Sequence, residues 1–362
     1  MHLHWRSLLT HFLFYARSLL IPILIFHGME FIVLIMFTIF EEGPINRCYI
    51  DGVPPFEMNA ANFNPAIDPT SLEDIILSDV KPPPGRAIFF PEIRCHPGDV
   101  HRILQLTARQ ACAIESAALH NPHFQVFVLF ESPTHMPVGE TFPLLDAIRS
   151  YRNVHFRQLN IWSFAEGTPI EDWAKKAELL HSSFQSEYAS DLLRFLTLYH
   201  FGGIYLSMDS IVLRSLENLT LNYVGAHDNQ SLGNAVFSLK PRGSGHEFAK
   251  LFLREFQKSY HAKSNEQTLI NRTMQKICGT LSIKEMQKDA HRCHGFKVFK
   301  PNTFFAVSDE SNVFEEAKYS YIIHQWSADS NKCQLKADFR NTFAQFAKKY
   351  CPRVYKVNRE YF

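Results

Sequence analysis

The sequence predicts an α/β protein with a mixed, mostly parallel sheet flanked by helices, placed after an N-terminal membrane-spanning helix. Three observations lead there. From about residue 86 onward, strand-like apolar runs alternate with stretches of helical spacing, the pattern of βαβ units on a largely parallel sheet. The 362-residue chain is 46% hydrophobic and only 20% charged, so it has ample apolar material for a core and is not a disordered chain. Two apolar runs, Leu19–Phe26 and Phe31–Phe40, stand almost end to end near the N-terminus. Lys+Arg (37) and Asp+Glu (36) nearly cancel, leaving +1, and that balance gives no electrostatic case for nucleic acid.

Taken as one helix, Leu19 to Phe40 reaches roughly 33 Å at about 1.5 Å per residue, enough to cross a bilayer. Glu30 near its middle costs roughly 2.5–3.5 kcal/mol on insertion scales, which the surrounding Leu, Ile and Phe outweigh. Arg6 and Arg17 precede the span and Glu41 and Glu42 follow it, so the positive-inside rule leaves residues 1–18 cytosolic and the bulk lumenal. A cleaved signal peptide would need a shorter apolar region ending in small residues, whereas Phe40 runs into Glu41-Glu42-Gly43-Pro44. A start at Met29 stays open as an alternative.

Residues 41–85 read as a lumenal stem, rich in proline (Pro54-Pro55, Pro82-Pro83-Pro84), which fixes φ and removes amide donors. Leu72–Leu77 suits a helix turn. Residues 86–362 form one domain. Its expected strands are Ala87–Phe90, Phe124–Phe130, Val154–Leu159, Gly203–Leu213, Ala235–Leu239 and Tyr319–Gln325. Its expected helices are His101–His120 (apolar at Ile103, Leu104, Leu106, Ala111, Ile114 and Ala118), Phe142–Arg149, Ile170–Leu180, Tyr188–His200, Glu247–Tyr260, Gln267–Ile277 and Phe339–Tyr350.

A lumenal location is in keeping with Asn-x-Ser/Thr sequons at Asn218, Asn229 and Asn271. None of the seven cysteines forms Cys-x-x-Cys. Short-range bridges would pair Cys95 with Cys112 and Cys278 with Cys293, leaving Cys48, Cys333 and Cys351 unassigned. His291, Cys293 and His294 lack a second ligand pair for zinc and read as loop residues beside a disulfide. Gly243-Ser244-Gly245-His246 lacks a nucleophile elbow and reads as a turn. Trp173 suits either a sugar-stacking platform or a buried core position.

The chemistry concentrates in residues 186–216, SEYASDLLRFLTLYHFGGIYLSMDSIVLRSL. A helix carrying Asp191 and Arg194 on one face ends at Gly202-Gly203, and a strand then delivers Tyr205, Ser207 and Asp209 to its far end. Ligands of open α/β sheets bind at the carboxyl ends of strands, so this acid and the Asp/Arg pair suit a metal–diphosphate and a sugar. On spacing alone, a surface ion pair and a turn-capping aspartate are the preferred explanation.

The run S-D-L-L-R…F-G-G-I-Y-L-x-x-D closely resembles the sugar-binding region of glycosyltransferases with a D-x-D motif, within the α-1,4-glycosyltransferases of the Golgi. The similarity extends through Ala111–Ala118, Thr168–Trp173, Ile211–Thr220, Ile323–Trp326 and Tyr350–Pro352, and covers roughly residues 86–353. It implies a GT-A-type nucleotide-sugar-binding fold, a UDP-sugar donor, Mn²⁺, and transfer that retains anomeric configuration. It implies a hexose, galactose or N-acetylhexosamine, passed in α-1,4 linkage to a glycolipid or glycan with a terminal β-galactoside-type sugar, as in glycosphingolipid biosynthesis. It also implies single-pass type II Golgi membrane topology. By position, Asp191, Arg194, Tyr205 and Ser207 contact the donor sugar, while Asp209 and His324 hold the metal or diphosphate. Two phosphates leaving together need their charge neutralised, which a divalent cation supplies.

Ser207 departs from the motif, standing where its first Asp belongs, and a serine hydroxyl is a weaker, neutral oxygen ligand. Ser327 follows H-Q-W where asparagine is usual, and Asn265–Thr268 replaces a Gly-Pro. The expected alternative is therefore a catalytically degenerate paralogue acting as a lumenal binding partner. A membrane-anchored hydrolase is a further rival and requires a paired acid and base.

Overall fold

The structure, a computed structural model, describes residues 70–92, 103–131, 134–139, 141–176, 185–260, 266–304, 317–324 and 342–358. The expected tail, the anchor at Leu19–Phe40, most of the stem, and Cys48, Cys95, Cys333 and Trp326 lie outside these residues. No helix among the described residues is long and apolar enough to cross a membrane.

Three parallel strands, β1 (Ala87–Glu92), β2 (Gln125–Phe130) and β3 (Val154–Gln158), alternate with α1 (Ala108–His120) and α2 (Pro143–Arg149). In β1, Ile88 and Phe90 enter one core layer while Phe89 enters the other, the period of two that a sheet covered on both faces demands. Apolar periodicity suggested that α1 starts near His101, but it starts at Ala108. Thr107 forms a capping box there: its hydroxyl accepts from the Gln110 N–H (3.3 Å) and Gln110 Oε1 accepts from the Thr107 N–H (2.9 Å).

After two short helices, α3 (Ile161–Phe164) and α4 (Glu171–Lys175), the long α5 (Gln185–Phe201) ends at Gly202. Gly202 and Gly203 have φ of +61° and +94°, and a Cβ on either would come within 2.5 Å of backbone, Pro241 N for the first and Ala87 O for the second. The glycine pair therefore lets β4 (Gly203–Leu206) run directly against β1, with Ile88 opposite Ile204 and Phe89 opposite Tyr205.

The single strand expected over Gly203–Leu213 is two. β4 stops at Leu206, residues 207–209 turn, and β5 (Ser210–Val212) leaves the main sheet to pair with β9 (Ile322–His324). The turn is closed by Ser210 N–H donating to Ser207 O (3.1 Å) and by Asp209 N–H donating to Ser207 Oγ (3.3 Å). An unbroken apolar run conceals such a change of partner.

The remaining elements are β6 (Tyr223–Ala226), β7 (Leu232–Leu239), α6 (Ser244–Ser259), α7 (Glu266–Cys278), α8 (Ile283–Lys288), β8 (Lys297–Phe299), α9 (Thr342–Tyr350) and α10 (Pro352–Val357). The main sheet has the order β3-β2-β1-β4-β7-β6-β8, with β7 antiparallel to both its neighbours and the other pairs parallel. The expected mixed, mostly parallel sheet is thus present. Phe195, Phe237, Phe248 and Phe252 fill one layer beneath it, and Ile114, Val126, Val128 and Leu206 fill the other.

Two distant segments are tied to this frame. Residues 71–78, which composition assigns to the stem, bridge to His135 and Gln158 and bury Leu72 and Ile75. At the other end, Cys112 is bonded to Cys351 and not to Cys95 as spacing suggested, because α1 packs against α9 and α10. The Cys278–Cys293 bridge is present. Beside Cys112, the fully buried Glu115 carboxylate accepts from Tyr151 OH (2.6 Å), Arg353 N–H (2.9 Å) and Val354 N–H (2.8 Å), meeting the open amides of the first turn of α10.

Candidate active site

Four parallel strands, β1 to β4, end at one edge of the sheet, and the 207–209 turn emerges there from β4. Beneath it α5 presents Asp191 and Arg194, both buried. Arg194 donates to Tyr205 OH (2.9 Å), lies 4.1 Å from the centre of that ring, and sits 3.7 Å from Asp191. These three residues form one buried polar cluster spanning a helix and the neighbouring strand. Burial raises the Tyr205 phenol, against which the Arg194 guanidinium acts, so the hydroxyl stays protonated.

The β5–β9 ladder supplies the second half of the site. It sets His324, from late in the chain, opposite Ser210, the residue that follows Asp209. Burial pushes the His324 imidazole down to about 4, with the charge of His227 adding to the effect. The ring is therefore neutral near neutral pH, the form that carries a free lone pair for an electrophile. His227 directly follows β6, and its N–H donates to Ser231 O (2.9 Å).

Helix α1 fixes the height of this turn. Ser116 Oγ accepts from Val212 N–H (3.0 Å) and Asn121 Oδ1 from Leu216 N–H (2.7 Å), so the segment after Asp209 runs along α1 in register. At the start of the same helix, Arg109 lies near enough for its guanidinium to feel the Asp209 carboxylate, which opposes the lowering that burial imposes on Arg109. Sequence reading missed both Arg109 and His227, since neither belongs to a recognisable motif and each reaches the site only through tertiary register.

Among the described residues no three His, Cys, Asp or Glu side chains converge as a ready-made metal cage. The chemistry still suits a hard divalent cation that keeps several waters and takes the rest of its shell from one or two protein ligands and substrate phosphates. Asp209 and His324 are such a pair. Ser207 contributes its hydroxyl to the turn, where it accepts from the Asp209 N–H.

The other candidates separate clearly. Trp173 is buried edge-on against Phe256 and Tyr260, a core position. Gly243, at φ +67°, caps α6, but Ser244, Gly245 and His246 form the first turn of that helix and not the loop turn that the sequence suggested. Asn218 and Asn229 are exposed. Asn271 lies on α7, where its Oδ1 accepts from Leu232 N–H (3.0 Å) and Thr273 of the same sequon is buried.

Two family models match the chain. One, a glycosyltransferase sugar-binding region containing the DXD motif, covers residues 107–229. The other, the alpha 1,4-glycosyltransferase conserved region, covers residues 241–358. Lactosylceramide 4-alpha-galactosyltransferase of Mus musculus is 29% identical over 265 residues, 69% of this chain and 72% of that protein. Alpha-1,4-N-acetylglucosaminyltransferase of Homo sapiens is 23% identical over 261 residues, 68% and 75% of the two chains. Among solved structures, the galactosyltransferase LgtC in complex with donor and acceptor sugar analogs aligns at a TM-score of 0.39 and 14% identity, over 75% of this chain and 96% of that one, a likeness too slight to argue from. The Cys112–Cys351 bond and the Ser210–His324 pairing each join the first matched region to the second. The resemblance read from the sequence is thus shown: the chain carries, in order, the DXD-type sugar-binding region and the conserved region of the α-1,4-glycosyltransferases.

Proposed function

We propose that the chain is a hexosyltransferase that passes galactose or an N-acetylhexosamine from a UDP-sugar, in α-1,4 linkage and with retention, to a glycolipid or glycan ending in a β-galactoside-type sugar. The observation that carries this reading is the β5–β9 pairing, which sets His324 opposite Ser210, one residue after Asp209, while Asp209 lies within electrostatic reach of Tyr205 in the Asp191–Arg194–Tyr205 cluster. Relatives whose names are a galactosyltransferase and an N-acetylglucosaminyltransferase support the reaction class. A GT-A-type arrangement, an N-terminal anchor at Leu19–Phe40 and a Golgi location with the domain in the lumen complete the proposal, resting on the apolar run, its flanking charges and the sequons.

In this reading Asp209 and His324 would hold Mn²⁺. When bound, the cation neutralises charge that develops on the departing diphosphate. Arg194, fixed by Tyr205 and Asp191, keeps its position without reorganising when the sugar arrives. Asp191 offers its carboxylate to sugar hydroxyls from the floor of the site.

Incubation of the full chain with UDP-galactose or UDP-N-acetylglucosamine, Mn²⁺ and lactose tests the reaction. The expected outcome is a trisaccharide with a new α-1,4 linkage from one of the two donors. Ser207 favours a second reading, a chain that binds donor or partner without transfer. That reading is selected if UDP binds, no donor yields product, and Ser207→Asp restores turnover.

A further inference from the structure

We propose that the apolar turn around Leu77, together with Val138, docks on the bilayer that carries the chain's own anchor and sets the carboxyl edge of the sheet along the membrane. The inference rests on the reading of Leu19–Phe40 as an anchor and names the surface that orients the domain relative to it.

The first described segment starts at Thr70, against that same edge. Met136 N–H donates to Thr70 O (2.7 Å) and Leu72 N–H to Thr134 O (2.9 Å), so residues 70–72 pair with the loop that follows β2. Asp74 then pairs with Gln158, the last residue of β3, as a short extra strand on the outer edge of the sheet. The turn after it is closed by Leu77 N–H and Ser78 N–H, which both donate to Asp74 O (3.1 and 2.7 Å). Ile75 is fully buried, while Leu77 is 82% exposed, Ile76 39% and Val80 44%. From this extra strand to β4 the edge spans four strand spacings of about 4.8 Å, about 19 Å in all. A partner that holds the Leu77 turn therefore fixes where the 207–209 turn stands.

The exposed apolar side chains gather here. Of the eight large hydrophobic side chains exposed among the described residues, Ile76, Leu77, Val80 and Val138 are four, and all lie on the two segments that the pairing of Ser71 with His135 joins. The nearby acids meet the protein's own donors: Glu73 accepts from Ser78 OH (2.8 Å) and pairs with Arg157, and Asp74 accepts from the Ile76 and Asn160 N–H groups. Asp79 and Lys81, of opposite charge, flank Val80. Exposed apolar residues gathered in one patch mark a contact surface, and a shallow apolar tip suits the interface of a bilayer. Residues 41–69 alone separate the apolar span from Thr70, so the membrane is the surface to which this flank is tied.

Fluorescence quenching in vesicles tests this. The full chain is reconstituted in phosphatidylcholine vesicles whose acyl chains carry bromine. Leu77→Trp is compared with Leu281→Trp, an exposed position just before α8, which bonds to β8 at the far side of the sheet. Relative to unbrominated vesicles, the emission added by Leu77→Trp is expected to be mostly lost and that added by Leu281→Trp to be kept. Leu77→Asp is expected to raise KM for a vesicle-borne lactose lipid about tenfold, the scale of one leucine withdrawn from an apolar contact, with KM for free lactose unchanged. Equal quenching at both positions, or none at Leu77→Trp, overturns the docking and leaves the anchor standing. Quenching at Leu77→Trp with a wild-type KM for the vesicle-borne acceptor in Leu77→Asp overturns the orientation of the sheet edge. A chain that stays in solution when the vesicles sediment overturns anchor and docking together. Absence of transfer to either acceptor counts against the proposed reaction alone, since the quenching decides the docking without turnover.

Discussion

Two carboxylates of this chain sit in stretches that carry the family resemblance, and they do opposite things. Glu115 is fully buried and receives three donors, one from α2's flank and two from the first turn of α10. Asp209 stands half-exposed on a three-residue turn between two sheets, with Arg109 and His324 nearby. The first is saturated by its own chain and has nothing left to offer a ligand. The second has its backbone N–H bonded to Ser207 Oγ within the turn and lies within electrostatic reach of Arg109 and Tyr205. A motif residue is therefore read as structural or functional by where its hydrogen-bonding capacity is spent.

The difference is open to direct attack, beginning with the largest effect. Cys351→Ser removes a bridge that closes a separation of 239 residues, and should cost roughly 4–5 kcal/mol of stability. Cys293→Ser, which opens a separation of only 15, should cost about 3 kcal/mol. Urea unfolding of the two variants under identical conditions checks the order, and a larger loss for Cys293→Ser would contradict it.

Glu115→Ala should cost about 3 kcal/mol, because it strands two amides and a phenol in the interior. Asp209→Asn should instead leave unfolding free energy within about 0.5 kcal/mol of wild type, as expected at a half-exposed position. If the two variants were equally destabilised, the division between a structural and a ligand-facing acid would fail.

Acid should expose a further asymmetry. The folded protein holds His324 at about 4, below the ordinary histidine value of about 6.5. Stability from the neutral ring is therefore full above about pH 6.5 and is lost as pH falls toward 4. In EDTA, melting curves of wild type should fall through that window more steeply than those of His324→Gln. Tyr205→Phe is expected to cost about 1 kcal/mol, since it removes one hydrogen bond to Arg194 and keeps the ring beneath the guanidinium, and urea unfolding checks it.

The sequence carried much of this, unevenly. The parallel strands at Ala87, Phe124 and Val154, the long helix before Gly202-Gly203 and the candidate residues Asp191, Arg194, Tyr205 and Asp209 were legible because each lies in a local pattern. The start of α1 was misread because Ile103, Leu104 and Leu106 continue its apolar period past a cap that only Thr107 and Gln110 reveal. The break at residues 207–209 was hidden because β4 and β5 are apolar alike and differ only in what they pair with. Short β6 and β8 offer too few residues for alternation to show. Cys112–Cys351, Arg109 and His227 depend on contacts between remote segments, which no spacing rule encodes.

The most direct test of the donor site compares the melting temperature of the full chain with and without millimolar UDP and Mn²⁺, in wild type and in Asp209→Asn. Ligand that binds only the folded state raises stability by mass action. The expected result is a clear rise for wild type that disappears in Asp209→Asn, whose fold is otherwise intact. No rise in the wild type, or an equal rise in both, would contradict the assignment of this turn as the place where the nucleotide-sugar binds.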